Sequence, residues 1–249
     1  MNSLETELKR AHELDESALA DAIETIGFEC TRCGACCKGY DLEEEASADA
    51  DSEEGGTVDR EPHTATVFPD EVRKLQAADY DWRDVARPMP YGLTEGEDGP
   101  EGETFEWALQ TDACGDCTFY TEADDGTGSC GVHEDRPLIC QTYPFSVDLG
   151  GTSQPMGEVV DSAALEGHRE AGDTGGEEGM VRAHECEGLG RDISRQEAEE
   201  LASALQKRAV RELEEAIGVR DTYEPTAVEG VVVHDSEGAK TVDGRPLNE

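Results

Sequence analysis

Apolar residues near the start of the chain recur at steps of three and four, the spacing of one helix face. The pattern runs from Leu4 to Ile26 and predicts one or two helices over residues 3–26. Ser17 is a candidate N-cap for the second of them, and Gly27 ends the run. We expect the apolar face to pack on a core rather than to bind a partner.

A second run with the same spacing predicts the clearest helix of the chain, over residues 195–217. Ser194 and Glu197 form a capping box at its start, and Gly218 follows its end. We expect this helix to pack on the core as well. The sequence after it, 219–249, is predicted as a weakly ordered tail with one short strand at its valine triplet.

The middle of the chain contains shorter elements that are broken by loops and prolines. Pro69, followed by acidic residues, suits the first turn of a helix. Residues 105–109 predict a strand, and residues 124–128 predict a hairpin-type turn. Three segments rich in glycine and acidic residues are predicted as loops, namely 41–61, 94–104 and 166–179.

The charge of the chain is extreme, because sixty Asp and Glu residues face twenty Lys and Arg residues, for a net charge of −40. Self-repulsion of this size destabilises a compact state at low salt, and concentrated salt screens it. The acidic, lysine-poor composition resembles that of proteins from salt-accumulating haloarchaea. Binding to a nucleic acid backbone requires a basic surface, so we expect no nucleic acid partner.

The nine cysteines indicate a reducing compartment when they are considered with their surroundings. The N-terminus is acidic and lacks the apolar segment of a signal peptide, and no stretch approaches the 18 or so apolar residues that span a membrane. We therefore expect a cytoplasmic protein that is not bound to a membrane. Clustered thiols in the cytoplasm are typical of metal binding or catalysis.

Four of the cysteines lie within the eight residues 30–37, at the spacing C-x2-C-x2-C-C. Thiolates are soft ligands that suit zinc, Cu(I) and iron–sulfur clusters. Ferredoxin-type iron–sulfur proteins use a similar C-x2-C-x2-C run, whereas zinc sites usually use two separated C-x2-C pairs. The small residues Gly34 and Ala35 allow the backbone to turn tightly between the sulfurs.

Further motifs follow in order: C-x2-C-x-F-Y, then C-x5-R-P-x2-C-x2-Y-P-F, then C-x-G-x-G. Together with the first run they resemble the YkgJ-type, or CxxCxxCC, family of zinc- or iron-chelating domains, over roughly residues 28–190. The family's eight characteristic cysteines map onto Cys30, Cys33, Cys36, Cys37, Cys117, Cys130, Cys140 and Cys186. The resemblance implies that these eight are the metal ligands, and it leaves Cys114 as a spare or substitute ligand.

The chain departs from the family pattern at two positions. Val132-His133 replaces an aromatic residue after Cys130, and His133 either adds an imidazole ligand or replaces a packing residue, of which we favour packing. Gln141 stands where members often have arginine. Arg136 remains, and it either balances thiolate charge by hydrogen bonding or pairs with a nearby carboxylate.

Eight thiolates divide into two sites of four, or into one four-ligand cluster with additional structural cysteines. Cys36 and Cys37 are adjacent, so we expect that their side chains do not easily point at one tetrahedral zinc. They then serve two neighbouring centres, or one of them lies outside the ligand set. Our hypothesis is that the run 30–37 gives three ligands to an iron–sulfur cluster and that a distant cysteine completes it.

The predicted fold is α+β, a small irregular cysteine-cluster domain stapled by metal rather than by a broad core, with flanking N- and C-terminal helices. A thin core is expected because hydrophobic residues make up 36% of the chain and aromatic residues 5%. The predicted organisation is an N-terminal helical segment, a metal-binding domain, a helix packed on that domain and a weakly ordered tail, at residues 1–27, 28–190, 191–218 and 219–249.

Function is predicted as metal binding through an iron–sulfur (favoured) or zinc centre, with a redox or electron-transfer role and an unidentified redox or protein partner. A flagellin lysine N-methylase shares this domain, so a methylase-like enzyme that uses S-adenosylmethionine stays open by resemblance. A thiol–disulfide protein that uses Cys33/Cys36 or Cys114/Cys117 also stays open, although no thioredoxin-like pattern surrounds either pair.

A protease-like arrangement would need Cys140 with His133 or His184, and no local motif supports it. His184 lies two residues before Cys186 and could donate an imidazole to a metal. We instead expect it at the surface.

Overall fold

A computed structural model describes residues 3–41, 60–97, 99–155, 157–165, 180–227 and 229–247. The predicted loop 166–179 lies outside the described residues, and so does all but the ends of the predicted loop 41–61. No helix in the described part of the chain is long and apolar enough to cross a membrane.

The described residues form the predicted α+β fold, with longer helices at both ends and short strands between them. The helices are α1 (Leu4–His12), α2 (Glu16–Ile26), α3 (Pro69–Gln76), α4 (Trp82–Val85), α5 (Leu138–Thr142) and α6 (Arg195–Thr222). The strands are β1 (Tyr40–Asp41), β2 (Arg60–Glu61), β3 (Thr66–Val67), β4 (Ala86–Pro88), β5 (Leu93–Gly96), β6 (Gly99–Thr104), β7 (Trp107–Leu109), β8 (Tyr120–Glu122), β9 (Gly128–Cys130), β10 (Phe145–Val147), β11 (Val159–Ala163), β12 (Val181–His184), β13 (Val231–Asp235) and β14 (Gly238–Lys240). Short 3-10 helices cover Ala35–Cys37 and His133–Asp135.

The N-terminal helices begin at residues whose side chains cap them. The Ser3 hydroxyl accepts a hydrogen bond from the Thr6 amide, and the Asp15 carboxylate accepts one from the Ala18 amide at 2.9 Å. The prediction of Ser17 as the cap of α2 is therefore wrong. The Asp15 carboxylate reaches the free amide of the third helical residue, which places Ser17 inside the first turn.

One hydrophobic core joins both ends of the chain. Helices α1, α2 and α6 pack together and cover the antiparallel sheet β10–β12–β11. Leu19, Ile23, Leu205 and Leu213 are at most 1% exposed there, together with Phe145. The helices at both ends of the chain therefore share one core with strands β10, β11 and β12.

The C-terminal segment differs from the predicted weakly ordered tail. Strands β13 and β14 form a hairpin, and β13 pairs in parallel with β6 in the sheet β14–β13–β6–β5. The prediction of a loop over residues 94–104 is therefore wrong, because strand β6 of this glycine-rich segment pairs with β5 on one side and with β13 on the other. Helix α6 continues through Gly218, where a Cβ atom would come within 2.5 Å of Ser236. Glycine therefore permits the hairpin to lie close against the helix.

A second core lies beneath the cysteines. Residues of α3, α4 and the sheet β3–β7–β4 surround Trp107, whose ring lies 5.0 Å from that of Trp82. The indole Nε1 of Trp107 donates a hydrogen bond to Asp235 at 2.9 Å, which ties the C-terminal hairpin to this core. Cys117 is buried in the same cluster, and Cys37, Cys130 and Cys140 pack against it.

Candidate metal centre

The first cysteine run folds into a tight turn. Gly34 adopts the left-handed conformation, with φ of 77°, and the 3-10 helix Ala35–Cys37 follows it. The Cys37 amide donates to the Gly34 carbonyl at 2.9 Å. This turn places the Sγ atoms of Cys36 and Cys37 3.8 Å apart on the same side of the backbone.

Backbone hydrogen bonds hold the second cysteine group against this turn. The Cys117 amide donates to the Cys37 carbonyl at 2.8 Å, and the Gly128 amide donates to the Arg32 carbonyl at 2.7 Å. Strands β8 and β9 form the predicted hairpin, with Cys130 opposite Tyr120. Two segments that are distant in sequence are thereby fixed beside each other.

Cys140 and Cys186 reach the same region from two other elements. Cys140 lies on α5, whose first amide, that of Leu138, donates to the Glu71 carboxylate at 2.8 Å. Cys186 follows β12, and the Glu29 amide donates to the Gly188 carbonyl at 3.0 Å. The start of the cysteine run is therefore anchored beside Cys186.

Four cysteines influence one another on the side that faces the second core. Burial raises the pKa of Cys117 to about 11, and neighbouring Cys130 and Cys36 add to this effect. Burial also raises the pKa of Cys140 well above its ordinary value, with contributions from Cys117, Cys36 and Cys130. The hydrogen bond with Cys36 raises the pKa of Cys37, and burial and the charges of Cys36, Cys140 and Cys117 raise it further. We call Cys37, Cys117, Cys130 and Cys140 the inner set.

The other four cysteines include the exposed Cys30, whereas the inner set includes the buried Cys117. Burial raises the pKa of Cys186, and the charges of Cys33, Cys36 and Cys30 raise it further. Cys30 is exposed, whereas its three neighbours are partly exposed. We call Cys30, Cys33, Cys36 and Cys186 the outer set. Cys36 is the residue that acts on both sets, and the hydrogen bond from Cys37 lowers its pKa to about 7.

The side-chain chemistry of these eight residues fits a thiophilic metal. All eight are soft donors, and each of the two sets contains four of them, which is the ligand number of zinc–thiolate and iron–sulfur sites. Within the described residues, however, no three Cys, His, Asp or Glu side chains already surround one point as the ligands of a metal ion do. Metal binding therefore requires the thiols to move toward a common point, which couples binding to folding.

The expectation that the side chains of Cys36 and Cys37 do not easily point at one tetrahedral zinc stays a prediction, although the structure places their sulfurs close together. Successive side chains of a 3-10 helix are separated by about 120°, in contrast to the opposite faces of a strand. Their separation of 3.8 Å equals the sulfur–sulfur edge of a tetrahedral site with metal–sulfur bonds of about 2.3 Å. Adjacency therefore lets these cysteines bind one metal or two neighbouring metals.

The remaining candidates lie outside the two sets. Cys114 is exposed, and its amide donates to Asp112. The His133 side chain is 58% exposed and lies 3.4 Å from Glu134, whereas Val132 is buried in the second core. Packing by Val132 therefore explains the departure from the family's aromatic residue.

Arg136 lies where it can balance thiolate charge. Its Nε atom donates to the His133 carbonyl at 3.2 Å, and its charge favours the thiolate of Cys36. Among the described residues Arg136 forms no ion pair with a carboxylate. The charge of Arg136 thus supports the balancing of thiolate charge, while the hydrogen bond from its Nε atom goes to a backbone carbonyl.

His184 is buried, in contrast to the prediction of a surface histidine. It is 1% exposed, its Nε2 atom lies 3.0 Å from the Ser146 hydroxyl, and its Nδ1 atom lies 3.0 Å from the Gly157 carbonyl. Both ring nitrogens are occupied, so His184 supports the sheet instead of contacting metal.

Two tyrosines beside the outer set did not emerge as candidates from the sequence. Burial raises the pKa of Tyr143, with further contributions from Tyr40 and Cys186. The Tyr143 hydroxyl donates to the Glu185 carbonyl. The Y-P-F motif was the available signal, but its role depends on the position of Glu185, which is distant in sequence.

We predict that Gly34→Ala lowers the metal content of the purified protein and destabilises it by more than the about 1 kcal/mol typical of such backbone strain. A Cβ atom at Gly34 would overlap the hydroxyl group of Tyr120, which is held by Glu122 at 2.6 Å. Gly126→Ala is the matched control, because Gly126 also has a positive φ (84°) but nothing lies within 4 Å of its Cβ position. Metal analysis and urea unfolding of both variants test this, and equal losses would contradict it.

Comparison with known proteins gives one match. The family model CxxCxxCC, described as "Putative zinc- or iron-chelating domain", matches residues 29–187, which is more than half of the chain. No curated protein and no solved structure matches the chain significantly.

Proposed function

The chain belongs to the CxxCxxCC family of zinc- or iron-chelating domains, and from this premise we propose that it holds two metal centres with different roles. The outer set binds an iron–sulfur cluster that exchanges electrons with a partner. The inner set binds zinc as a structural centre. The protein is then an electron carrier, and the zinc ion stabilises its fold beside the redox site.

The observation that carries this proposal is the position of Cys36. Its charge acts on the outer residue Cys186 and on the inner residues Cys117 and Cys140, and the charges of the inner residues Cys117 and Cys140 act on Cys37. Assigning Cys36 outward and Cys37 inward gives each set four thiolates. The outer set then has three ligands from the first run and one distant ligand, as iron–sulfur sites often do.

Exposure distinguishes the roles of the two sets. Cys30 is exposed, and a centre near the surface permits electron exchange with a partner. When bound, an iron–sulfur cluster supplies one-electron chemistry at a potential set by charge, hydrogen bonds and exposure. The Gly188 amide donates to Cys186 Sγ at 3.4 Å, and the positive charge of Arg136 stabilises the Cys36 thiolate. Both interactions stabilise negative charge on the thiolates and so oppose the effect of the acidic chain on the cluster's potential.

The inner set has the surroundings of a closed structural site. Cys117 is 6% exposed, and Cys37, Cys130 and Cys140 pack against the second core. Four thiolates from three segments close long loops of the chain when they bind one ion. Structural zinc sites are closed in this way and contribute directly to folding.

Metal and acid-labile sulfide analysis of protein purified without oxygen in concentrated salt tests the proposal. We expect zinc, and in addition iron with matching sulfide and a broad visible absorption band. Stoichiometric zinc without sulfide would contradict the iron–sulfur assignment, and protein without bound metal would contradict the proposal as a whole.

A further inference from the structure

A contact between two adjacent sulfurs joins the outer set to the inner set. The Sγ atoms of Cys36 and Cys37 lie 3.8 Å apart, and either thiol can donate a hydrogen bond to the other. Among the nine cysteines, all of which the structure describes, no other two thiols are joined by a hydrogen bond. A sulfur of one set therefore touches a sulfur of the other.

The same contact brings these two sulfurs near the separation at which they can bond to each other. A disulfide has a sulfur–sulfur length of about 2.05 Å, so each sulfur needs to move toward the other by about 1 Å. The 3-10 turn Ala35–Cys37 already holds the two side chains close together. Closing the bond therefore involves two neighbouring residues and requires no approach of distant segments.

A disulfide between neighbouring residues is strained. Cα atoms joined by a trans peptide are about 3.8 Å apart, whereas ordinary disulfides join Cα atoms that are about 4.4–6.8 Å apart. Strain makes a disulfide easier to reduce, and labile disulfides are typically regulatory or catalytic. A bond between Cys36 and Cys37 would therefore form and break with the supply of oxidant and reductant.

The surroundings of the two sulfurs indicate where an oxidant attacks. Both residues are partly exposed. Cys37 is among the described residues that pack against the second core, whereas Cys36 packs against neither core. Cys36 is therefore the sulfur at which a small oxidant reacts first.

We propose that Cys36 and Cys37 form a reversible disulfide that withdraws one thiolate from each set and thereby releases both metals. This inference rests on the proposed function, since it assigns the two neighbours to different centres. Because the thiolate is the form of cysteine that binds metal, each set falls from four ligands to three. Oxidation of one pair of neighbours thus controls the redox centre and the structural centre together.

The oxidant is a small disulfide, and the reaction is thiol–disulfide exchange. The Cys36 thiolate attacks one sulfur of the small disulfide, whose S–S bond breaks and whose other half leaves as a thiolate. The Cys37 thiolate then attacks Cys36 Sγ, which forms the bond between the neighbours and expels the remaining half. Two electrons pass from the cysteine sulfurs to the small disulfide, and the two released thiolates take up the two protons that the cysteines gave up on ionisation.

Treatment of the full-length, metal-loaded protein with bis(2-hydroxyethyl) disulfide tests the proposal. The reagent is neutral, because a chain with a net charge of −40 repels an anionic oxidant. Remaining thiols are blocked with N-ethylmaleimide during denaturation at mildly acidic pH, and trypsin, which cleaves after arginine and lysine, then releases residues 33–38.

We expect this peptide to lack two hydrogen atoms and to carry a single maleimide group, on Cys33. A peptide with three maleimide groups would overturn the proposal. A single group on Cys36 or Cys37, or half of the reagent retained on Cys36, would overturn it as well.

Cys37→Ser is the decisive variant, and Cys33→Ser is its matched control, because each removes one thiol from the same peptide. We expect Cys37→Ser to lower the yield of the internal disulfide about tenfold or more, since only Cys37 has the proximity to Cys36 that accelerates the second step. Cys33→Ser should still form the disulfide. Failure of Cys33→Ser to form it, or an unchanged yield in Cys37→Ser, would mean that Cys33 is the partner of Cys36 and would overturn the proposal.

Zinc and iron released to a coloured chelator report the effect on the two centres. We expect both metals to leave as the disulfide forms, and we expect dithiothreitol with added zinc to restore zinc binding. Retention of either metal by protein that contains the disulfide would overturn the proposal. Protein without metal before treatment would instead contradict the proposed function, and with it the release of metal, while the peptide would still show whether Cys36 and Cys37 pair.

Discussion

Replacement of Cys117 by serine should abolish cooperative folding of the protein, whereas replacement of Cys30 by serine should leave the fold intact. Cys117 lies in the second core, and its amide donates to the Cys37 carbonyl. A structural zinc site contributes roughly 10–16 kcal/mol in small domains, which equals or exceeds the net stability of most proteins, about 5–15 kcal/mol. Cys30 is exposed at the edge of the outer set, so its loss should remove iron and visible absorption but little folding free energy.

Circular dichroism during urea unfolding, with zinc and iron measured on the same samples, checks this prediction. Cys114→Ser is the control, because Cys114 is an exposed cysteine outside both sets. It should keep both metals and unfold like the unmodified protein. Cooperative unfolding of Cys117→Ser with normal zinc content, or loss of zinc from Cys30→Ser, would contradict the division into inner and outer sets.

The local elements of this chain were predictable from sequence because their signals are local. The apolar stripe and the Ser194 capping box identify α6, whose capping box the structure shows. The turn over residues 124–128 was similarly visible, since its glycines and aspartates favour a hairpin whatever surrounds them. Such features depend on neighbours within a few residues.

Elements that depend on distant partners were not predictable. Strands β5 and β6 carry glycine and glutamate, which disfavour strands. Strand β6 also pairs with β13, whose residues lie 129 positions further along the chain, as Val231 opposite Gly102 shows. His184 likewise resembles a surface residue in sequence, yet the neighbouring Ser146 and the Gly157 carbonyl occupy its ring nitrogens.

The resemblance to the family pointed to the eight cysteines, but it did not divide them. Cys36 and Cys37 are adjacent in sequence, and only the 3-10 turn shows that their sulfurs lie side by side. The proximity of Cys186 to Cys33 likewise depends on the hydrogen bond between Glu29 and Gly188. The family resemblance therefore predicts which cysteines are ligands, while folded contacts are needed to propose how they are grouped.

Arg208→Met should destabilise the protein by about 3–5 kcal/mol, the usual cost of removing one partner of a buried ion pair. The Arg208 side chain is 2% exposed, and it donates to Thr142 Oγ1 at 3.0 Å, to the Phe145 carbonyl at 3.2 Å and to the Ser153 carbonyl at 3.0 Å. Its loss also leaves the Glu212 carboxylate buried without a cation. Because Thr142 ends the helix that carries Cys140, we expect reduced zinc content as well.

Urea unfolding at constant salt and zinc concentration measures this effect, and Arg195→Met is its control. Arg195 also lies on α6 and also pairs with carboxylates, including Glu24 and Glu199, but its side chain is 38% exposed. Both substitutions remove one positive charge from the chain. A difference between their losses in free energy of unfolding therefore reports the burial of Arg208 and not the change in net charge. The double variant Arg208→Met/Glu212→Met should recover part of the loss, since it removes the stranded carboxylate. If Arg208→Met lowered the free energy of unfolding by no more than Arg195→Met does, the buried contacts of Arg208 would not be what holds α6 against α5.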